Sequence, residues 1–213
     1  MASSDRPPAD IDPESLSRLA PLRREQLSET QEADYDALLH SVRDGRTLAG
    51  LNGPAGIWLR IPEIGAHMMA VASVVRTEIG LDLRLTELAI LATAREMNSP
   101  FVWAMHEPVA IKQGLSADII DIVKYRKPLP AMSETEAAII ELARETVGTK
   151  RVGAQTYAKA VNVFGETGVL QLAALIANYA MTAIMLAVID QQLPSGRESG
   201  LPDLPDAKDE SPR

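Results

Sequence analysis

The chain has 213 residues, of which 46% are hydrophobic and 23% charged, with a formal net charge of −8 and no cysteine. That length suits one domain with a sizeable core. The acidic balance (pI ≈ 5.0) and the lack of a basic stripe exclude a nucleic-acid surface, and the missing cysteine excludes disulfides, thiol redox chemistry, cysteine nucleophiles and cysteine-held zinc.

Residues 1–12 are polar and proline-rich, with no apolar run of the kind a secretory signal needs. They read as a disordered tail, as do residues 194–213, and a single all-α domain is expected between them over 13–193. With no cysteine and no signal, a cytoplasmic location is expected. Strict alternation of apolar and polar residues is missing, and apolar positions recur at helical spacing. The pattern predicts helices near 13–27, 31–44, 63–79, 84–97, 100–113, 116–125, 133–148, 153–164 and 166–191. Ser133 and Glu136 make a capping box for one of them. Ser99-Pro100 supplies an N-cap with proline at the first helical position. Gly45, Gly80, Gly114 and Gly165 punctuate the ends.

The stretch Val169–Ile189 is almost wholly apolar, long enough to raise the question of a membrane span. Its three polar residues, Gln171, Asn178 and Thr182, fall at spacings of seven and four, on one helical stripe. No Lys or Arg anchors its ends. A buried central helix is therefore expected, its polar stripe facing a cavity or a subunit contact, with no membrane partner.

Three histidines remain to be placed. His40 lies off the apolar face of its helix and reads as solvated. His67 borders an apolar stripe and reads as a half-buried packing residue. His106 lies in Phe101-Val-Trp-Ala-Met-His-Glu, apolar on several sides, where a histidine loses water and needs a partner. Glu87 is the candidate partner, on an apolar flank with Ile90, Leu91 and Ala94. A hairpin turning at Asn98-Ser99 runs the two helices antiparallel. Glu87 lies about 12 residues before that turn and His106 about seven after it, so the two are offset by roughly a turn at ~1.5 Å per residue. Periodicity permits their contact without fixing it, and a satisfied core histidine is the alternative. Glu96 and Glu107 sit on more polar sides and read as solvated. Two ligand-type residues do not make a metal site, so no metal is expected.

Glu87, Ser99 twelve residues on, Val102 three further and His106 four further resemble the motif of the carboxymuconolactone decarboxylase / AhpD-like superfamily. Leu51-Asn-Gly-Pro54 leading to Ile61-Pro-Glu63, and the helix with Asn178-Tyr179, agree with it, so that the resemblance spans roughly 30–192. In the peroxidase branch the positions of Ser99 and Val102 hold the two cysteines of a CxxC. Here both are absent, and the aromatic-x-Trp-x-x-His version looks like a cysteine-free branch.

The resemblance implies an all-α, AhpD-like multi-helix bundle around a helical hairpin. It also implies a homo-oligomer, a trimer or hexamer, with sites near subunit contacts. A thiol peroxidase is excluded, since no thiolate can form. The reaction implied is decarboxylation of a small unsaturated lactone acid, as in the breakdown of aromatic compounds, with no cofactor because the substrate is its own electron sink. His106 and Glu87 are the implied catalytic pair. Arg95 is the first candidate to meet the substrate anion, ahead of Arg60 and Arg84. Trp103, Phe101, Ser99 and Trp58 are the remaining candidates for substrate contact. Another acid–base reaction on the same hairpin, or a non-catalytic helical module that binds a small molecule or only oligomerises, is the alternative.

Overall fold

The computed structural model describes residues 8–43, 49–129 and 132–204; Gly45 and the outer parts of both expected tails, 1–7 and 205–213, lie outside the described residues. Among the described residues there is no β-strand, only an isolated bridge between Asp12 and Ser17. Eight α-helices follow: α1 Glu29–Arg43, α2 Pro54–Trp58, α3 Pro62–Thr77, α4 Leu83–Glu96, α5 Pro100–Lys112, α6 Ala117–Lys124, α7 Glu134–Ala143 and α8 Ala154–Val188.

Local chemistry sets most helix starts. Proline occupies the first turn of α2, α3 and α5, where its missing N–H costs nothing. The Asp82 carboxylate accepts from the backbone N–H of Leu85 at 2.8 Å to open α4, and the Ser133 hydroxyl accepts from Glu136 N–H at 3.2 Å to open α7. Ser99 stands at the N-cap of α5, but its side chain makes no cap hydrogen bond. Gly165 has φ 69° and ψ 170°, so it breaks α8 into two helical stretches end to end. This matches the two helices expected there.

The expected helix over 13–27 does not form. The Asp12 carboxylate takes the N–H groups of Glu14 and Ser15 at 2.8 and 3.1 Å, and Leu16 turns into the left-handed region at φ 55°. Side-chain capping of this kind competes with helix, and Pro21 withholds one more N–H. The segment is tied instead to the end of α8, with Arg18 N–H donating to Ile189 O and Gln192 N–H to Leu16 O. Only the short turn Arg24–Gln26 is helical there. The part of the C-terminal tail within view, 194–204, carries no helix, yet Leu201 packs on the core and Pro202 O accepts from Arg95.

The core is built around α4. Every side chain from Thr86 to Arg95 on this helix is buried, because α5, α6, α7 and α8 all pack against it. Truncating one of its leucines, Leu88 or Leu91, to alanine costs about 2–5 kcal/mol. α8 is long and apolar enough by length and composition to cross a membrane. It is a core helix on one side, through Leu172, Leu175, Ile176 and Ala183, while Leu170, Ile184 and Val188 are exposed on the other. α3 packs on α8 and α2.

Candidate active site

The hairpin of α4 and α5 brings the two expected residues together. His106 Nδ1 lies 2.7 Å from Glu87 Oε2, and Glu87 is 1% exposed. A second charge arrives from α3: Arg76 Nη2 donates to Glu87 Oε1 at 3.0 Å. The carboxylate thus holds one partner on each oxygen. Burial pushes the Glu87 carboxyl up, but the His106 contact and the Arg76 guanidinium outweigh it and hold the group below its ordinary value. An ionised Glu87 fixes the proton on His106 Nδ1, so Nε2 is the ring atom left free for other chemistry. The Tyr179 ring from α8 stands edge-on to the imidazole, with centroids 5.1 Å apart. Burial pushes the Tyr179 phenol up, and Glu87 adds to that against the opposing charge of Arg76.

Arg76, His106 and Tyr179 line an open cavity of about 350 Å³ between α2, α3, α5 and α8, and Glu87 holds the first two from outside its lining. Trp58, Met69, Phe101, Val102, Met105 and Leu186 supply apolar wall, while Arg76, His106, Asn178, Tyr179 and Thr182 supply polar atoms. Gly65 of α3 packs against the Trp58 backbone, where a methyl group would collide with the Trp58 carbonyl oxygen. That close approach sets Trp58 on the cavity wall. Among the described residues no three His, Asp or Glu side chains gather as a metal-ligand set.

Of the candidates for substrate contact, Phe101 and Trp58 line the cavity, and Arg95, Trp103 and Ser99 do not. Arg95 is 1% exposed, and its guanidinium donates to Asn98 Oδ1 at 2.8 Å and to Pro202 O. Its position near the end of α4 turns it toward the C-terminal segment, so it is a structural cation. Arg60 donates to Ala20 O and Arg84 to Glu136. Trp103 is fully buried, with the Lys124 ammonium 5.5 Å above its ring. Two further expectations are corrected: His67 is exposed, and the Glu96 side chain is almost wholly buried, 3.1 Å from Arg126.

Sequence reasoning did not single out Arg76, and it quoted Tyr179 and Met105 within longer stretches without giving them a place in the site. Arg76 looks like any charged residue near the end of an amphipathic helix, and only the tertiary position of α3 aims it at Glu87. Asn178 and Thr182 carried a signal in their polar stripe, and both line the cavity. Gln171 does not.

Residues 62–145 match the carboxymuconolactone decarboxylase family, a span that contains Arg76, Glu87 and His106. This part of the chain is similar to that family. The fold of this carboxymuconolactone decarboxylase-like chain is similar to a crystal structure described as alkylhydroperoxidase AhpD core, an uncharacterized peroxidase-related protein from Ralstonia eutropha JMP134. The TM-score is 0.65 at 14% identity, covering 84% of this chain and 93% of that one. At that identity the likeness concerns the fold alone. No curated protein matches the sequence. Against the thiol branch of the superfamily this chain offers a hydroxyl at Ser99 and methyl groups at Val102, neither of which replaces a redox thiol.

Proposed function

We propose that the protein is a cofactor-independent lyase that decarboxylates a small unsaturated lactone acid of the 4-carboxymuconolactone kind. The carrying observation is the Arg76–Glu87–His106 array, which sets Arg76 and His106 on the wall of a mainly apolar cavity, with no partner for His106 Nε2 among the described residues. In such a substrate the bond to the departing carboxylate breaks, and its electron pair moves through the conjugated double bond to the lactone carbonyl. Carbon dioxide leaves, and the dienolate takes one proton on carbon. A doubly protonated His106 donates that proton from Nε2, while Glu87 holds the ring through Nδ1. Arg76 has guanidinium N–H groups beyond the one bonded to Glu87, and these bind a substrate carboxylate. Apolar walls strengthen each charge interaction by excluding water. The same array also supports another acid–base reaction, such as an isomerisation or hydration, or simple binding of a small acid.

The apolar side chains that α8 leaves exposed at Leu170, Ile184 and Val188 support association into a homo-oligomer; its reading as a cytoplasmic trimer or hexamer rests on the family resemblance and the absence of cysteine. The test of the reaction is release of carbon dioxide from a panel of muconolactone-type acids, with His106→Gln as control. Release that vanishes in the variant supports the reading, and turnover without release points to the sister reactions.

A further inference from the structure

The cavity carries polar groups that the proton-transfer chemistry does not use. Tyr179 and Asn178 are each less than a tenth exposed, and neither the Tyr179 hydroxyl nor the Asn178 side-chain amide makes a hydrogen bond among the described residues. The sealed side-chain nitrogens and oxygens without a partner are Arg95 Nε and Trp103 Nε1. The Tyr179 and Asn178 groups are therefore open, and the space both residues line is the cavity. Polar groups that open only into such a cavity are placed to complete their hydrogen bonds with what enters it.

Their surroundings say what that something is. Burial keeps the Tyr179 phenol protonated far above neutral pH, so it is a hydrogen-bond donor. Its ring stands edge-on to His106, on the side of the cavity where a proton is delivered. The Arg76 charge acts on the hydroxyl as well. A donor with these neighbours suits an oxygen that gains negative charge during a reaction. Arg76 is also the one Lys or Arg among the described residues that line the cavity. A ligand with two carboxylates then has a counter-charge for one of them, and the other lies against the apolar wall.

We propose that the Tyr179 hydroxyl and the Asn178 amide form a carbonyl-oxygen subsite, which binds the lactone carbonyl and stabilises it as the dienolate forms. This rests on the lyase reading and adds to it the groups that hold the carbonyl oxygen conjugated to the carbon that loses carbon dioxide. The retained carboxylate pairs with Arg76. The uncompensated carboxylate is the one lost: its carbon–carbon bond breaks, the pair reaches the carbonyl oxygen held by Tyr179, and it returns to carbon with the proton from His106.

The test is calorimetric titration of the full chain with two unreactive ligands, a saturated γ-lactone carboxylic acid and the cyclic ether acid that lacks only the carbonyl. The wild type should bind the lactone about tenfold more tightly than the ether, the size of one buried hydrogen bond. Tyr179→Phe and Asn178→Ala should each weaken the lactone severalfold and leave the ether unchanged, and circular dichroism checks that both fold. Equal losses for the two ligands, no loss, or no binding of the lactone by the wild type overturns the subsite. If the lactone–ether difference holds but no unsaturated acid releases carbon dioxide, the lyase reading falls and the subsite stands. If release continues at the wild-type rate in both variants, the subsite falls and the lyase reading stands.

Discussion

Arg76 and Glu87 meet at 3.0 Å across the packing of α3 on α4, so the carboxylate that positions His106 is also the anchor of the helix that walls the cavity. Chemistry and architecture share one side chain. Removing either partner of a buried ion pair leaves the other uncompensated, at about 3–5 kcal/mol. Arg76→Gln leaves the buried Glu87 carboxylate without its guanidinium, whereas Glu87→Gln leaves a partly exposed guanidinium, so Arg76→Gln should cost the larger share, as denaturant unfolding would measure.

His106→Gln keeps the bulk of the side chain and removes the proton donor. Turnover should fall by about 10²–10⁴, the usual worth of a positioned acid, with circular dichroism unchanged. A folded variant that keeps full activity removes His106 from the mechanism.

The pH dependence of stability should follow the depressed Glu87 carboxyl. Its contribution is complete above the ordinary value of 4.5 and is lost as pH falls through the lower folded value. Wild-type unfolding free energy should therefore drop more steeply on acidification than that of Glu87→Gln.

Glu96 should behave in the opposite sense. Burial raises its carboxyl, and Arg126 and Arg144 only partly offset this. The ionised group is held at a cost, so Glu96→Gln should match the wild type within about 1 kcal/mol at pH 7 or exceed it. The wild type should gain on the variant as pH falls through the raised value. Parallel pH titrations of the two variants would show the contrast.

Deleting residues after Leu193 takes away the Pro202 acceptor of Arg95 and the Arg197 contact to Met105 at 3.1 Å. The loss should be about 1–3 kcal/mol, or roughly 2–10 °C in Tm. In an Arg95→Met background the same deletion should cost less, because no buried cation then loses the Pro202 acceptor.

The helices were legible where a local start signal met an apolar stretch, as at Ser133 for α7 and at Pro100 for α5. The segment 13–27 was not, because its apolar spacing is helical while Asp12 and Pro21 redirect the backbone. The hairpin placed Glu87 and His106 on facing helices, but their 2.7 Å contact depends on helix rotation that periodicity leaves open. Arg95 illustrates the limit. A helix surrounded on all sides has no solvent face, so a charge on it is aimed by whatever packs there, here the C-terminal segment rather than the cavity. Arg76 lay beyond reach for the same reason, since its partner is chosen by the docking of α3.

Because α4 touches neighbours all round, a change in any of its side chains must be matched by changes in several other helices at once. α3 and α8 each leave one side uncovered within the chain, where a change meets fewer partners. The helix that bears Glu87 is therefore the slow-changing part of the molecule, and the outer sides of α3 and α8 are freer to diverge. New ligand preferences can arise on this scaffold by rewriting the outer walls while the acid–base pair stays where it is.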